Sequence, residues 1–305
     1  YPPGSIFKVF MAVAGLEEGV IREDETVNCP GYFYFGGRAF KCHKHSGHGS
    51  VDLNRAITLS CDVYFYTVGQ RLGIDRIHEY ATKFGLGLRT DPDFEQENPG
   101  LIPSTAWKKM YYEKDPPNQK WFPGETISVS IGQGATTTTP MQISRGVSAL
   151  VNGGILYKPQ LVRKIESVDG AFRDEDFKPV EVGRVDVQKR ILNKVKEAMV
   201  SVVNDPHGTG KRAQLPKELG IQVGGKTGTA QVVSLDYHKS TEGREHHAWF
   251  VGFAPAEDPQ IVVTALIEHG GGGGLNAAPL VRQVMEAFFG YVPPTPTPEP
   301  QVKRK

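Results

Sequence analysis

The sequence predicts an α+β fold, with helices through most of the chain and an antiparallel sheet in its last third. Three patterns predict it. Residues 5–18 (SIFKVFMAVAGLEE) are apolar nearly all round, the mark of a helix buried in an interior. Residues 188–203 carry Ile191, Leu192, Val195, Met199, Val202 and Val203 at helical spacing. The runs 221–233, 248–254 and 260–269 are rich in β-formers and joined by turn-forming segments, as in an antiparallel meander.

The elements follow in order. Pro2, Pro3 and Gly4 hold the approach extended and put Ser5 at the start of the first helix, which closes at Gly19. Residues 28–50, rich in Gly, His and aromatics, read as one long ordered loop. A helical stretch runs from Leu53 to about Phe84, broken at Ser60-Cys61-Asp62 and again near Gly73. Residues 86–126 hold many Pro, Gly and charged residues and read as an irregular groove wall, with Trp107, Lys108, Lys109, Tyr111, Tyr112 and Trp121 in it. Pro140 opens a helix reaching Leu150, with Gly153-Gly154 beyond its end. Residues 277–289 form a closing helix, and the Gly270–Gly274 run before it reads as a flexible turn without a phosphate-loop pattern. Residues 1–290 are thus one domain, and 291–305 a Pro-rich tail expected to be disordered.

The 305 residues carry 35 Lys plus Arg against 34 Asp plus Glu, so no basic field points to nucleic acid. No run of about 18 apolar residues occurs, so these residues supply no membrane-spanning helix. The opening Tyr1-Pro2-Pro3-Gly4 has the look of mid-protein sequence, and the chain reads as a fragment with any N-terminal anchor out of view.

Ser5 and Lys8 stand three residues apart, hence on one helix face. A serine hydroxyl needs a base beside it to act as a nucleophile, and a lysine desolvated in an apolar helix favours its neutral, basic form. The helix N-terminus also aims backbone N–H groups at charge developing near Ser5. A capping serine with a snorkelling lysine would give the same four residues. Lys226-Thr227-Gly228-Thr229 lies in a strand-like run after Gly224-Gly225; a cation and two hydroxyls on one strand edge suit a substrate carboxylate, and an extended peptide could pair with that edge. Ser60-Cys61-Asp62 offers a second hydroxyl and a polar partner at a break between helices.

S-x-x-K, S-x-D and K-T-G in that order resemble the signature of penicillin-binding proteins and serine β-lactamases. The flanks YPPGSIFK, SCDVYFY, IGQGATTTTPMQ and GGKTGTAQ resemble the class B transpeptidases, and with PGYFYF, GHG and LGIDRIHEYATKFGLG the likeness is to the elongation, rod-shape group, penicillin-binding protein 2. The resemblance spans roughly residues 1–290 and implies a penicilloyl-serine-transferase fold, an antiparallel sheet flanked by helices plus a helical subdomain. It implies that Ser5 attacks the penultimate D-Ala carbonyl of a peptidoglycan stem peptide, that Lys8 takes the proton, that Ser60 relays it to the leaving amine with Lys226 assisting electrostatically, and that Asp62 orders the network. It gives the oxyanion hole to the N–H groups of Ser5 and Thr229, and the carboxylate to Thr227 and Thr229 around Gly228. It further implies inhibition by β-lactams, an inner-membrane anchor with this domain in the periplasm, and partnership with a membrane glycosyltransferase and elongation-complex proteins. The chain departs from the family in carrying Asp62 where many relatives have Asn. It also starts four residues before its serine, where relatives supply further strands, so either those strands lie in an omitted segment or the chain alone is an incomplete sheet with a bare edge.

Cys29, Cys42, His48 and Cys61 fall in the order C-x12-C-x5-H-x12-C. Three sulfurs and an imidazole suit tetrahedral zinc, and the resemblance puts the four on positions where some elongation-type relatives carry it with carboxylate, His and Cys ligands. Such a metal would be structural, clamping 28–50 to the S-x-D turn, with no cofactor needed for catalysis. A Cys29–Cys42 disulfide with Cys61 as a buried apolar residue is the alternative, and His43 and His45 are rival ligands. His246-His247, Gln133 and Thr136–Thr139 read as loop shapers near the groove.

Two other functions use the same scaffold. A β-lactamase or carboxypeptidase needs a water placed to hydrolyse the acyl-enzyme; no E-x-x-L-N loop is present. A silent peptide or β-lactam sensor would keep the fold without turnover.

Overall fold

The structure, a computed structural model, describes residues 1–90, 96–162, 164–169, 178–230 and 245–292. A 3-10 turn, Gly4–Phe7, leads into α1 (Lys8–Glu17), in which every residue from Lys8 to Gly15 is buried. Ser5 therefore belongs to a tighter turn ahead of the α-helix rather than to the helix itself. Gly4, at φ +55°, donates from its N–H to the Gly132 carbonyl at 3.0 Å and so spends one of the turn's free donors on a distant loop.

Residues 28–50 are not one loop. They form nested antiparallel ladders: β1 (Val27–Cys29) pairs with β4 (Gly49–Val51), and β2 (Tyr32–Phe35) with β3 (Arg38–Lys41). The inner hairpin turns at Gly36-Gly37, both at positive φ, the two-residue turn that matches strand twist. That dipeptide between YFYF and RAFK was a readable hairpin signal. The outer pair had none, because its partners lie some twenty residues apart and alternate weakly.

The helices α2 (Leu53–Thr58), α3 (Asp62–Leu72) and α4 (Ile74–Lys83) break at the two places the sequence marked. Asp52 caps α2 by accepting from Arg55 N at 2.8 Å, and Gly73 at φ +75° turns α3 into α4. The expected irregular wall holds two short helices, α5 (Thr105–Tyr111) and α6 (Pro123–Val129), pinned together by Lys108 and Glu125 at 2.5 Å. Then come α7 (Pro140–Val151), the small ladder β5 (Ile155–Tyr157) with β6 (Glu181–Arg184), and α8 (Lys189–Asn204).

The closing sheet has the order β7 (Gly224–Ala230), β8 (His247–Ala254), β9 (Ile261–Ile267), antiparallel throughout. Residues 231–233 of the expected first strand lie outside the described residues, as does 293–305 of the expected tail. Every residue of β8 is buried, which requires cover on both faces. Helix α9 (Ala278–Phe288) covers one, while α8 and the Gly4–Phe7 turn pack against β7. Among the described residues β7 and β9 are the sheet's edges, and no helix is long and apolar enough to cross a membrane. Helix α1 runs through the centre, packed on α3, α4 and α8, so the turn before it opens beside the β7 edge.

Candidate active site

The break between α2 and α3 organises the site. Ser60 takes φ +55°, a conformation that non-glycine residues rarely adopt and that clusters at functional positions. Its side chain is thereby turned to Lys226 Nζ, which donates to Ser60 Oγ at 2.9 Å, and to Lys8 Nζ at 3.3 Å. Lys8 also donates to Ser60 O at 2.8 Å and to Asp62 Oδ1 at 2.6 Å. Both lysines are fully buried, at 0% exposure, so each ammonium would be without water. Burial and the charge of Lys8 push Lys226 well below the usual lysine range, against an opposing pull from Asp62. Burial would push Asp62 up, yet the Lys8 charge and hydrogen bonds from His43 and Lys8 prevail and hold it below the usual carboxylate range. The remaining oxygen, Asp62 Oδ2, accepts from the backbone N–H of His43 at 2.7 Å.

This network opens on a cleft of about 490 Å3 lined by Ser5, Ser60, Asp62, Thr227 and Thr229. Close main-chain approaches place Ser5, with the buried Ile6 and Phe7 anchoring its turn. A Cβ on Gly4 would lie 2.5 Å from Thr229 O and 3.1 Å from Thr229 N, and one on Gly132 would lie 2.2 Å from Gly4 O. The amide of the Ser5 turn and the β7 edge at Thr229 thus meet where only glycine fits. Lys8 spends its hydrogen bonds on Ser60 and Asp62; among the described residues none joins it to Ser5.

A second cluster backs onto the same turn. Cys29 ends β1, Cys42 follows β3, His48 precedes β4, and Cys61 precedes α3. Their donor atoms all lie within 4.8 Å of one another. His48 Nδ1 is 3.6 Å from Cys29 Sγ and 3.5 Å from Cys42 Sγ. A zinc tetrahedron with Zn–S of about 2.3 Å and Zn–N of about 2.0–2.1 Å has S···N edges of about 3.6 Å, so this donor set fits one. The three thiols are free, with no Cys29–Cys42 bridge. A hydrogen bond from Cys61, then one from His43, holds the Cys42 thiol below its ordinary range, while that same bond and burial push Cys61 up. His43 turns to Asp62 instead, its Nδ1 3.5 Å from the carboxylate and 4.0 Å from Cys42 Sγ. His45 lines the cleft.

Over residues 1–286 the chain matches the penicillin binding protein transpeptidase domain. It belongs to that family. This transpeptidase domain is 39% identical over 298 residues to the peptidoglycan D,D-transpeptidase MrdA of Haemophilus influenzae, covering 95% of the chain and 44% of the relative. It is 38% identical to MrdA of Acinetobacter baumannii, at 95% and 42% coverage. The chain therefore spans under half the length of these relatives. Among solved structures it resembles Pseudomonas aeruginosa PBP2 in complex with WCK 5153, with a TM-score of 0.78 and 35% identity over 94% of this chain and 61% of the other. It also resembles Helicobacter pylori PBP2 in its complex with MreC, with a TM-score of 0.76 and 30% identity over 96% and 50%. The fold is thus that of penicillin-binding protein transpeptidases, as the motifs implied.

Of the residues singled out by sequence, the transpeptidase domain gathers Lys8, Ser60, Asp62 and Lys226 in direct contact, with Ser5, Thr227 and Thr229 on the cleft they face. Gly228 packs under the Ser5 turn, where a Cβ would lie 2.8 Å from Pro3 O. Gln133 borders the cleft, its Nε2 donating to Thr229 O at 3.1 Å, and His246 lines it. His247 is instead a buried strand residue opposite Ala230. The glycine run is not a loose turn: a Cβ on Gly273 would meet Trp249 O at 2.1 Å, and Gly272, Gly273 and Gly274 line the cleft. Sequence reasoning missed Thr209, whose Oγ1 lies 3.0 Å from Thr227 Oγ1. A lone threonine far from any motif carries no pattern to find it by.

Proposed function

We propose that this domain is the acyl-transferase of a peptidoglycan D,D-transpeptidase of the cell-elongation type. The observation that carries the proposal is Ser60, bonded to both buried lysines at the mouth of a cleft that also holds Ser5 and the Thr227–Thr229 edge. Ser5 Oγ attacks the carbonyl of the penultimate D-Ala; the new ester C–O bond forms as the amide C–N bond breaks and the terminal D-Ala leaves. The Ser5 proton passes to Lys8, and the leaving amine is protonated through Ser60. Lys226 is held below the usual lysine range, so it is poised to take a proton when the substrate carboxylate arrives. Passage of that proton through Ser60 leaves Lys8 free to act as the base. The N–H groups of Ser5 and Thr229 receive the oxyanion, and Thr227 and Thr229 hold the carboxylate. An amine of a second stem peptide then attacks the ester, forms the cross-linking amide and returns the proton to Ser5. β-Lactams would stop at the ester.

Zinc held by Cys29, Cys42, His48 and Cys61 belongs to this proposal. With all positions filled by protein it supplies a structural clamp rather than an activated water. The three side-chain sulfurs and His48 would lock β1–β4 to the turn carrying Ser60 and Asp62, and the His43 N–H that holds Asp62 follows directly on Cys42. The elongation relatives make a membrane-anchored protein with this domain in the bacterial periplasm the expected setting. The complexes of related proteins point to MreC and a peptidoglycan polymerase as partners.

Fluorescent penicillin tests the catalytic proposal. The domain should be labelled covalently on Ser5 and Ser5→Ala should not, after which a donor pentapeptide should release D-Ala and, with an acceptor amine, form a dimer. Rapid turnover of a chromogenic cephalosporin instead of a lasting adduct would mark a β-lactamase. Labelling without D-Ala release would mark a sensor.

A further inference from the structure

Thr209 lies on the short connection between α8 and the segment leading to β7, and main chain holds it from several sides. Gly208 N donates to Asp205 O at 2.9 Å and Gly210 N to Val202 O at 2.9 Å. A Cβ on Gly208 would meet Val202 O at 2.3 Å, and one on Gly210 would meet the Phe250 ring at 2.9 Å. From the opposite wall a Cβ on Gly274 would lie 2.2 Å from Thr209 O. No side chain but hydrogen fits on either neighbour, so the Thr209 side chain is the one this connection presents to the cleft.

Its hydroxyl joins the two walls. Thr209 Oγ1 donates to the carbonyl of Thr58, two residues before Ser60, at 3.4 Å. It lies 3.0 Å from Thr227 Oγ1, which also receives Lys226 Nζ at 3.4 Å. Each hydroxyl has one proton and two lone pairs. With the Thr209 proton on Thr58, the contact between the hydroxyls must use the Thr227 proton, which then points away from a ligand. An arriving anion reverses the pair: Thr227 turns its proton to the anion, and Thr209 leaves the long Thr58 contact to donate toward Thr227 or a second anion oxygen.

We propose that Thr209 is a substrate-binding residue, forming with Thr227 a two-hydroxyl seat for a terminal carboxylate, and so setting the demand for an acid rather than an amide or ester at the substrate's end. This rests on the acyl-transferase reading above. The ordinary alternative is that Thr209 only braces the connection to α2, and the ligand's charge separates the two.

Acylation rates are measured with benzylpenicillin and with its methyl ester, each as the ratio of variant to parent. Thr209→Val keeps the shape without the proton; it should lose roughly tenfold with the acid, the scale of a hydrogen bond to a charged group, and keep most of its rate with the ester. Thr209→Ser should restore the acid's rate. Thr209→Ala serves as a second hydroxyl-free side chain if the valine lowers the melting temperature. An unchanged rate with the acid, or equal losses with acid and ester, overturns the proposal. A parent protein acylated by neither ligand fails the acyl-transferase reading instead, which keeps the two failures apart.

Discussion

Three consecutive residues serve two unlike clusters. Ser60 and Asp62 face a pair of buried lysines, while Cys61 between them faces Cys29, Cys42 and His48. On the lysine side the protein supplies its own counter-charge: Asp62 receives Lys8 and the His43 N–H, and Ser60 bridges both amines. On the thiol side it gathers three sulfurs and an imidazole whose donor atoms lie within 4.8 Å of one another. The first cluster, under the proposed reaction, moves a proton with protein groups alone. The second, under the proposed zinc site, takes a cation and holds still. Chemistry and support thus share a turn without sharing atoms.

The sharpest way to break this division is Lys8→Ala. It should slow acylation by roughly 10²–10⁴-fold, as loss of a general base does, with the fold retained by circular dichroism. A near-normal rate would mean the Ser5 proton leaves by another route and the lysines are structural.

Asp62→Ala comes next, since it leaves the Lys8 ammonium buried and unpaired. Loss of about 3–5 kcal/mol in urea unfolding is expected, with Asp62→Asn costing less. Because the folded state holds Asp62 below its ordinary range, its contribution is present above about pH 4 and fades as pH falls through the lower folded value. Parent and variant stabilities should therefore converge in acid; a constant gap down to pH 2, about two units below an ordinary carboxylate, would contradict the pairing.

Chelation addresses the other cluster. Elemental analysis should give zinc in the purified domain. Its removal, or Cys61→Ser, should lower the melting temperature on the order of 10 °C while acylation at low temperature falls less than in Lys8→Ala. A Cys29–Cys42 bridge found by mass spectrometry would replace the metal altogether.

The smallest effect concerns Lys226. A bound carboxylate favours its ammonium form, so binding should take up a proton and weaken as pH rises toward, but below, the ordinary lysine range near 10.4. Ligand affinity of the acylation-dead Ser5→Ala variant against pH measures this. A flat profile would place the charge elsewhere.

Much of this was legible in the residues. Long, strongly patterned segments announced α1, α8 and α9, and the breaks at Ser60 and Gly73 fell where the chain turns. The four-residue motifs named the groups that converge. What escaped notice was held by pairing at a distance. The β1–β4 ladder joins residues with no local alternation, Asp62 is gripped by a backbone N–H that any residue but proline at 43 would supply, and Thr209 matters only because Thr58 and Thr227 lie beside it. The glycine run misled because flexibility in an isolated peptide says nothing about close packing, as at Gly273 against Trp249 O.

The glycines at 4, 132 and 228 let three stretches of main chain touch around Ser5. Peptide planes have no rotamers to freeze, so these main-chain supports of the proposed nucleophile cost no side-chain entropy and only the Ser5 χ1 is left to fix. A methyl group added at any of the three would spread the stretches apart and misdirect the hydroxyl, even with every reactive side chain still in place.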